Sequence, residues 1–360
     1  MDARDLASAP AHRNVTVKGR LASLLAKAAV TGPWRPAAEK LMVLIGHKFP
    51  NQKLLLRFFH HFIHHLARVE GQRLNRIATF ATGGRMYCGE DPYVRDITLA
   101  HYFVGTITGQ DQDEIPISKL FHRMITEGNV FFDIGANVGF YTFFAAPLVG
   151  KSGSVHAFEA NPKLIPHLLR SAELNASHGR IVINNCAVGS VHGQQVSIYL
   201  PCSRTTGGTS LHLHDWLDPK SKMFVPMVSI DEYVQQEKLG RLDAVKIDIE
   251  GGELGAFKGM KKTFETIPPS LIVCELMSPS AYHMNERDHV LRPAPATSRP
   301  QEILSFMRDR GYEAWHISRG GRLDRKVHLD EIERMTGNTM NVAFVRRIFR
   351  DSRPDLFACE

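Results

Sequence analysis

The feature that most constrains the fold is a strand, a turn and a helix that follow one another over residues 130–142. Residues 130–134 are apolar except for Asp133, which is typical of a buried strand. Gly135 and Gly139 mark the turn, and an apolar helix follows. Because glycine has no Cβ, the chain can turn tightly there and a ligand can approach the first helical turn. The segment therefore predicts a nucleoside-binding turn.

The residues around this turn favour one class of ligand. A dinucleotide fingerprint needs glycine at positions 137 and 140, which hold Asn137 and Phe140. Asp133 would repel a pyrophosphate, but it suits a ligand that carries an ammonium group, such as S-adenosylmethionine. A second strand, residues 154–158, leads into Glu159, where a doubly wound fold places the acid that binds ribose hydroxyls. The two acids together are more specific than either alone.

Strands and helices alternate from residue 130 to about residue 264, which predicts an α/β fold. The pattern indicates a doubly wound, mostly parallel seven-stranded sheet of Rossmann-like type, with helices on both faces. Ligands bind such sheets at the carboxyl ends of the strands. Four acids occur at predicted strand ends: Asp133, Glu159, Asp248 and Glu275.

Several further elements are predicted around this alternation. Residues 196–200 are interpreted as a short excursion from the alternation of strands and helices, and a Ser-, Thr- and Gly-rich loop follows at 203–210. Residues 225–229 are predicted to form a strand. Asp231 is a candidate cap for the helix that follows. The chain finishes with strands at 312–317 and 341–346, interpreted as an antiparallel hairpin.

A second group of charged residues follows the strand predicted at 244–249. Alternation along a strand places Lys246, Asp248 and Glu250 on one face, with Glu253 just beyond. Gly251 and Gly252 allow a tight exit with the backbone close to a ligand. Clustered charge is costly unless it is paired or used. These residues therefore either form a functional site, or Lys246 forms an ion pair with Asp248 or Glu250 that fixes the loop.

With these residues in view, residues 130–142 resemble the first motif of class I S-adenosylmethionine-dependent methyltransferases. The sequence is similar to the FkbM family in particular through FEANP at 158–162, VKIDIEG at 245–251 and CEL at 274–276. The resemblance runs from roughly residue 128 to residue 275. Residues 1 to about 90 show no such resemblance.

The resemblance implies an enzyme that transfers a methyl group from S-adenosylmethionine to a hydroxyl of a small molecule or sugar, such as a glycan or polyketide-like acceptor. It also implies which residues bind the cofactor. The methionine half would lie beside Asp133, Gly135, Asn137 and Gly139, the ribose would bind to Glu159, and the adenine ring would lie near Ala187.

Catalytic roles are assigned to residues near the acceptor oxygen, because positioning and proton removal are what methyl transfer requires. Asp248 is the expected base, with Glu250 or Glu275 as a second acid and Lys246 beside them. No metal is expected, because the adjacent Asp-Asn ligand pair of catechol-type methyltransferases is missing.

Two other functions stay open on the sequence alone. A nicotinamide-dependent oxidoreductase is disfavoured by Asp133 and by the missing glycines at positions 137 and 140. A non-catalytic scaffold would bind cofactor and dock on a membrane or partner protein through its N-terminal helices.

The N-terminal part of the chain differs in charge from the rest. Residues 1–80 hold 13 Lys and Arg against 4 Asp and Glu, so the remainder of the chain is close to neutral and nucleic acid is not an expected partner. An apolar stripe over residues 55–66 predicts a basic amphipathic helix. It either packs on the core or contacts an anionic membrane through residues 21–68.

The same helix holds a histidine group, His60, His61, His64 and His65, at a spacing that can bind a metal, but surface or packed histidines are favoured. The five cysteines are scattered, which favours reduced thiols in a cytoplasmic protein, with peripheral contact at the inner face of the membrane as an alternative.

Four segments are predicted along the chain. Residues 1–70 form a basic helical extension, 71–128 lead-in strands and a helix that pack on the core, 129–350 the methyltransferase domain, and 351–360 a tail. A proline-rich stretch at residues 279–300 is either a lid over the substrate or a plain surface loop.

Overall fold

The computed structural model describes residues 77–88, 115–200, 208–211, 220–277, 300–333 and 339–357. The chain divides into two compact units, Met1–Asn75 and Arg76–Glu360, and all described residues belong to the second. The predicted N-terminal helices with their histidines lie outside the described residues, as does nearly all of the candidate lid. Within the described residues, no helix has the length and apolarity needed to cross a membrane.

The described part of the chain contains 13 strands. In chain order they are β1 (Ile77–Thr79), β2 (Arg85–Tyr87), β3 (Val130–Ile134), β4 (Ser154–Phe158), β5 (Arg180–Asn184), β6 (Ala187–Val188), β7 (Gln195–Ile198), β8 (Met223–Val228), β9 (Ala244–Ile247), β10 (Leu271–Met277), β11 (Tyr312–Ile317), β12 (Leu323–Lys326) and β13 (Thr339–Arg346).

The helices of the described residues occur mainly between these strands. They are α1 (Ile115–Met124), α2 (Phe140–Val149), α3 (Ile165–Leu174), α4 (Ile230–Gln236), α5 (Glu253–Lys258), α6 (Lys261–Thr266), α7 (Pro300–Arg308), α8 (Leu329–Glu333) and α9 (Arg347–Ser352). A 3-10 turn, Pro354–Leu356, follows α9, so the predicted tail is partly helical.

An eight-stranded sheet forms the centre of the fold, in the order β12-β11-β13-β10-β9-β3-β4-β5. The five strands from β10 to β5 are parallel, and β13, β11 and β12 add antiparallel pairs. The predicted doubly wound, mostly parallel, Rossmann-like sheet is confirmed. The prediction of seven strands was one too few, because the chain turns back after β11 and β12 pairs along its edge.

The central strands are mostly apolar because both of their faces are covered. Every residue of β3, β4 and β9 is buried. Phe132, Phe158 and Tyr233 pack ring to ring in the core. Buried His156 bonds to the Tyr233 hydroxyl at 2.7 Å, and burial lowers the pKa of its imidazole to about 4, so the ring is neutral there.

A separate three-stranded sheet, in the order β6-β8-β7, stands between β5 and β9 in the sequence. Its strands pack on a small apolar cluster of Ala187, Ile198, Leu200 and Val225. The predicted excursion at 196–200 and the strand at 225–229 are therefore partners of each other, since β7 pairs antiparallel with β8. Neither joins the central sheet.

The predicted cap of helix α4 was wrong. Ser229 is its N-cap, and its hydroxyl accepts a hydrogen bond from the Glu232 N–H. Asp231 lies inside α4 and caps α6, the second helix after it, by accepting the Thr263 N–H at 2.7 Å and the Lys262 N–H at 3.0 Å. A short polar side chain next to a helix start can serve either helix, and tertiary packing decides which.

Candidate active site

Strand register brings the acids of the sequence analysis to one edge of the central sheet. Asp133 on β3 pairs with Lys246 on β9, which pairs with Val273 on β10. Glu275 lies two residues beyond Val273, and Asp248 two residues beyond Lys246, so both lie at the same edge, Glu275 still within β10 and Asp248 just after β9. This edge holds the carboxyl ends of the parallel strands, as predicted.

The turn after β3 is held against β4 and β9. The Gly135 and Ala136 N–H groups both donate to the Phe158 carbonyl, at 2.9 and 3.0 Å. Gly135 has φ +85°, and a Cβ there would lie 1.8 Å from the Asp248 carbonyl oxygen. Gly135 therefore allows the turn to contact the backbone of Asp248. The space that a Cβ would occupy is filled by protein atoms.

Asp133 is 2% exposed and is held from the first turn of α2. The Thr142 hydroxyl donates to its carboxylate at 2.5 Å. Burial raises the pKa of Asp133 to about 6, although the Thr142 hydrogen bond and the positive charge of Lys246 oppose the shift. A cation near this carboxylate would favour its ionised form.

Glu159, directly after β4, joins the turn after β3 to the start of the next loop. Its two carboxylate oxygens accept the Asn137 and Asn161 N–H groups, both at 2.7 Å. Burial raises the pKa of Glu159 to about 7, with the two hydrogen bonds acting against the shift. Each carboxylate oxygen has a second lone pair for a ligand hydroxyl.

A cleft of about 220 Å³ opens at this edge of the sheet. Its walls come from the turn after β3, the end of β4, the start of β6, residues 208–211 and the exit of β9. Six of the predicted site residues line this cleft: Gly135, Asn137, Glu159, Ala187, Asp248 and Glu250. A smaller cavity of about 40 Å³ lies beside it and is lined by Asp133, Tyr141 and Lys246, among others.

Gly139 stands outside both cavities. It has φ +87°, and a Cβ there would lie 2.2 Å from the Phe143 ring. Its small size therefore serves the packing of helix α2, whereas the sequence suggested contact with a ligand.

Lys246 and Asp248 form an ion pair at the exit of β9. Lys246 is 2% exposed, and its ammonium lies 3.3 Å from an Asp248 carboxylate oxygen and 5.7 Å from the centre of the Tyr141 ring. Strand β9 ends at Ile247, two residues before the predicted end, because Glu250 and Gly251 take left-handed conformations with φ +52° and +101°. Glu250 therefore lies in a turn, and the alternation of side chains along a strand does not determine its direction.

Three carboxyl groups meet at this exit. Oxygens of Asp248, Glu250 and Glu275 lie within 4.8 Å of one another, a spacing that could hold a metal ion. Burial, followed by the charge of Asp248, raises the pKa of Glu250 to about 8 and the pKa of Glu275 well above its usual range. Near neutral pH, Glu250 is thus largely protonated, and burial favours the protonated form of Glu275. The cation Lys246 lies beside Asp248.

Two contributors to the site were missed in the sequence analysis. Thr142 holds Asp133, and the only signal in the sequence is its place in the first turn of an apolar helix. Ser210 lines the cleft and donates to the Glu250 carbonyl at 2.7 Å. The sequence predicts only a polar loop there, since nothing local shows that the small sheet brings it to the cleft.

Comparison with known proteins was decisive for the family. A family model described as a methyltransferase FkbM domain matches residues 133–314, about half of the chain. The chain belongs to the FkbM methyltransferase family. The resemblance inferred from residues 130–142 and the three later motifs is confirmed, and the family supports a methyltransferase as the class of function. The scaffold and the nicotinamide-dependent oxidoreductase are not favoured.

One curated relative is the hexuronic acid methyltransferase AglP of Haloferax volcanii. It is 25% identical over 154 residues, which are 43% of this chain and 59% of the relative. The chain therefore spans less than two thirds of that relative's length.

Solved structures that the chain matches include fibrillarin of Aeropyrum pernix with bound S-adenosyl-L-methionine, at 13% identity and a TM-score of 0.33. The match covers 64% of this chain and 73% of that one. A SAM-dependent O-methyltransferase of Thermotoga maritima matches at 13% identity and a TM-score of 0.32, over 65% of this chain and 64% of that one.

Proposed function

We propose that the protein is an S-adenosylmethionine-dependent O-methyltransferase that acts on a hydroxyl of a sugar or another small molecule. The observation that carries this proposal is a single cleft. Asn137 and Glu159 line it together with Asp248 and Glu250. A cofactor held by the first pair would thus lie next to carboxyl groups that can receive an acceptor.

The cleft residues fit a cationic, nucleoside-bearing cofactor. The side-chain oxygen of Asn137 is buried and accepts no hydrogen bond from the described residues, so a ligand donor would satisfy it. Asp133 supplies negative charge near this turn, and Glu159 keeps lone pairs for ribose hydroxyls. Ala187 offers a small apolar wall beside which a purine ring can lie.

When bound, S-adenosylmethionine supplies an electrophilic methyl group on a sulfonium. The protein's own contribution is to position the acceptor oxygen and to take up its proton. Asp248 is the best-placed base, because it lines the cleft, is 35% exposed and stands beside the Lys246 ammonium. Lys246 holds the Asp248 carboxylate in place.

Glu250 and Glu275 suit a hydroxylated acceptor. A protonated carboxyl group both donates and accepts hydrogen bonds, and a sugar hydroxyl does the same. The raised pKa keeps Glu250 largely neutral near pH 7, and burial favours the neutral form of Glu275 in the same way. The relative named for hexuronic acid methylation supports a sugar as the acceptor class.

The test is a methyl-transfer assay with labelled S-adenosylmethionine over a panel of sugars, uronic acids and polyketide-like alcohols. We expect Asp248→Asn to lower kcat on the accepted substrate by about 100-fold or more, the range typical of a lost general base. Asp309→Asn, the same change on an exposed helix end, is the control. Undiminished transfer by Asp248→Asn would exclude Asp248 as the base.

A further inference from the structure

Glu253 is a buried acid without a role in the function proposed above. It is 1% exposed and opens helix α5, directly after the turn that carries Glu250. One of its carboxylate oxygens accepts no hydrogen bond from the described residues. The other accepts two backbone N–H groups, from Gly251 at 3.0 Å and from Ile249 at 3.4 Å.

These two donors lie on either side of Glu250. Its backbone is left-handed, which is unfavourable for a residue with a side chain, and Gly251 is left-handed as well. Such a turn persists only when its surroundings fix it. A third bond, from the Ser210 hydroxyl to the Glu250 carbonyl, closes the turn from the side of the cleft.

We propose that Glu253 is a positioning residue that fixes the turn at 249–251 and so holds the Glu250 carboxyl group in the cleft. The inference rests on the proposed function, because Glu250 matters only if the cleft receives an acceptor. Glu253 itself lines neither cavity. Its effect therefore passes through the backbone of the turn.

Two variants separate the parts of this role. Gln at position 253 keeps one oxygen that can accept both N–H groups, whereas Ala removes it. We expect Glu253→Ala to lower kcat by about 100-fold, the cost of misplacing a reacting group by about 1 Å. Its Kd for S-adenosylmethionine should stay within about threefold of wild type, because the cofactor side of the cleft is unchanged. Glu253→Gln should recover most of the lost kcat.

A second readout distinguishes positioning from general support of the fold. The negative charge of Glu253 raises the pKa of Glu250. In the function proposed above, Glu250 binds the acceptor in its protonated form, so its ionisation appears as the alkaline limb of the kcat profile. Glu253→Gln should therefore move this alkaline limb to lower pH, which a residue that only fills space would not do. Glu302→Gln, the same change in the first turn of helix α7, is the control and should leave the profile in place.

The outcomes separate this inference from the function on which it rests. Wild type that neither binds S-adenosylmethionine nor transfers a methyl group would overturn both. Wild type that does both, with Glu253→Ala at wild-type kcat, would overturn the inference alone. Should Glu253→Ala fail to fold, Glu253→Gln decides: an alkaline limb shifted to lower pH, with cofactor binding retained, supports the role, and an unshifted alkaline limb overturns it.

Discussion

Replacing Gly135 by alanine should disrupt the turn after β3 and the exit of β9 together. The new Cβ would meet two costs. The left-handed conformation at φ +85° costs a non-glycine residue roughly 1–2 kcal/mol. The Cβ would also lie 1.8 Å from the Asp248 carbonyl oxygen, so the backbone must move by more than 1 Å, and overpacking of this kind costs about 1–3 kcal/mol.

Gly311→Ala is a matched control for this change. Gly311 has φ +82°, but a Cβ there meets nothing within 4 Å, so only the conformational cost of about 1–2 kcal/mol applies. It stands before β11, at the edge of the sheet opposite the cleft. The difference in unfolding free energy between the two variants therefore measures the cost of the contact with Asp248.

Urea unfolding and a cofactor titration measure the two consequences. We expect Gly135→Ala to lose about 2–5 kcal/mol of unfolding free energy, against about 1–2 kcal/mol for Gly311→Ala. We also expect Gly135→Ala to bind S-adenosylmethionine at least tenfold more weakly, and Gly311→Ala to bind it as wild type does. Equal stability and equal binding in the two variants would refute the argument from close approach.

Three further predictions follow from the buried acids. Burial raises the pKa of Asp133 to about 6 and those of Glu159 and Glu253 to about 7, so the stability that these three acids contribute is fully present below their unfolded pKa values near 4 and is lost as pH rises to about 7. Urea midpoints at pH 5 and 8 check this, and a higher midpoint at pH 8 would contradict it. Binding of S-adenosylmethionine at pH 6.5 should release protons, because its positive charge favours the ionised forms of Asp133 and Glu159. Calorimetry in two buffers of different ionisation enthalpy shows whether protons are released or taken up. Proton uptake would count against the placement of the cofactor beside these two acids. Methyl transfer should be unaffected by EDTA, as the sequence led us to expect; a loss restored by Mg²⁺ would instead assign a cation to Asp248, Glu250 and Glu275.

The strands of the central sheet could be predicted from the sequence because parallel strands are buried on both faces. Apolar runs at 130–134, 154–158 and 271–274 could not be exposed without large cost, and the structure contains strands at each. The strand at the edge of the sheet was harder to predict. Strand β12 reads LDRK with three exposed residues, so no hydrophobic pattern marks it.

The acids at strand ends were located correctly for a topological reason. Parallel strands bring their carboxyl ends to one edge, so Asp133, Glu159 and Asp248 meet without any knowledge of contacts. The turn after β9 could not be predicted in the same way. Its course depends on the left-handed Glu250 and on hydrogen bonds to Glu253, which are tertiary features.

Interactions across long stretches of chain were beyond the sequence. Ser210 reaches Glu250 because the three-stranded sheet brings residues 208–211 to the cleft, and the two positions are 40 residues apart. Asp231 was assigned to the wrong helix for the same reason, since its partners Lys262 and Thr263 are about 30 residues away. Local patterns contain no information on such partners.

Calorimetric titration of the purified protein with S-adenosylmethionine tests the central claim most directly, with Asp133→Ala and Glu159→Ala alongside it. We predict saturable binding by the wild type at one site, weakened by about tenfold or more in each variant. Such a loss is typical when a hydrogen-bonded charge is removed from a binding site. Absence of binding by the wild type, or equal binding by all three proteins, would contradict the assignment of this cleft as the cofactor site.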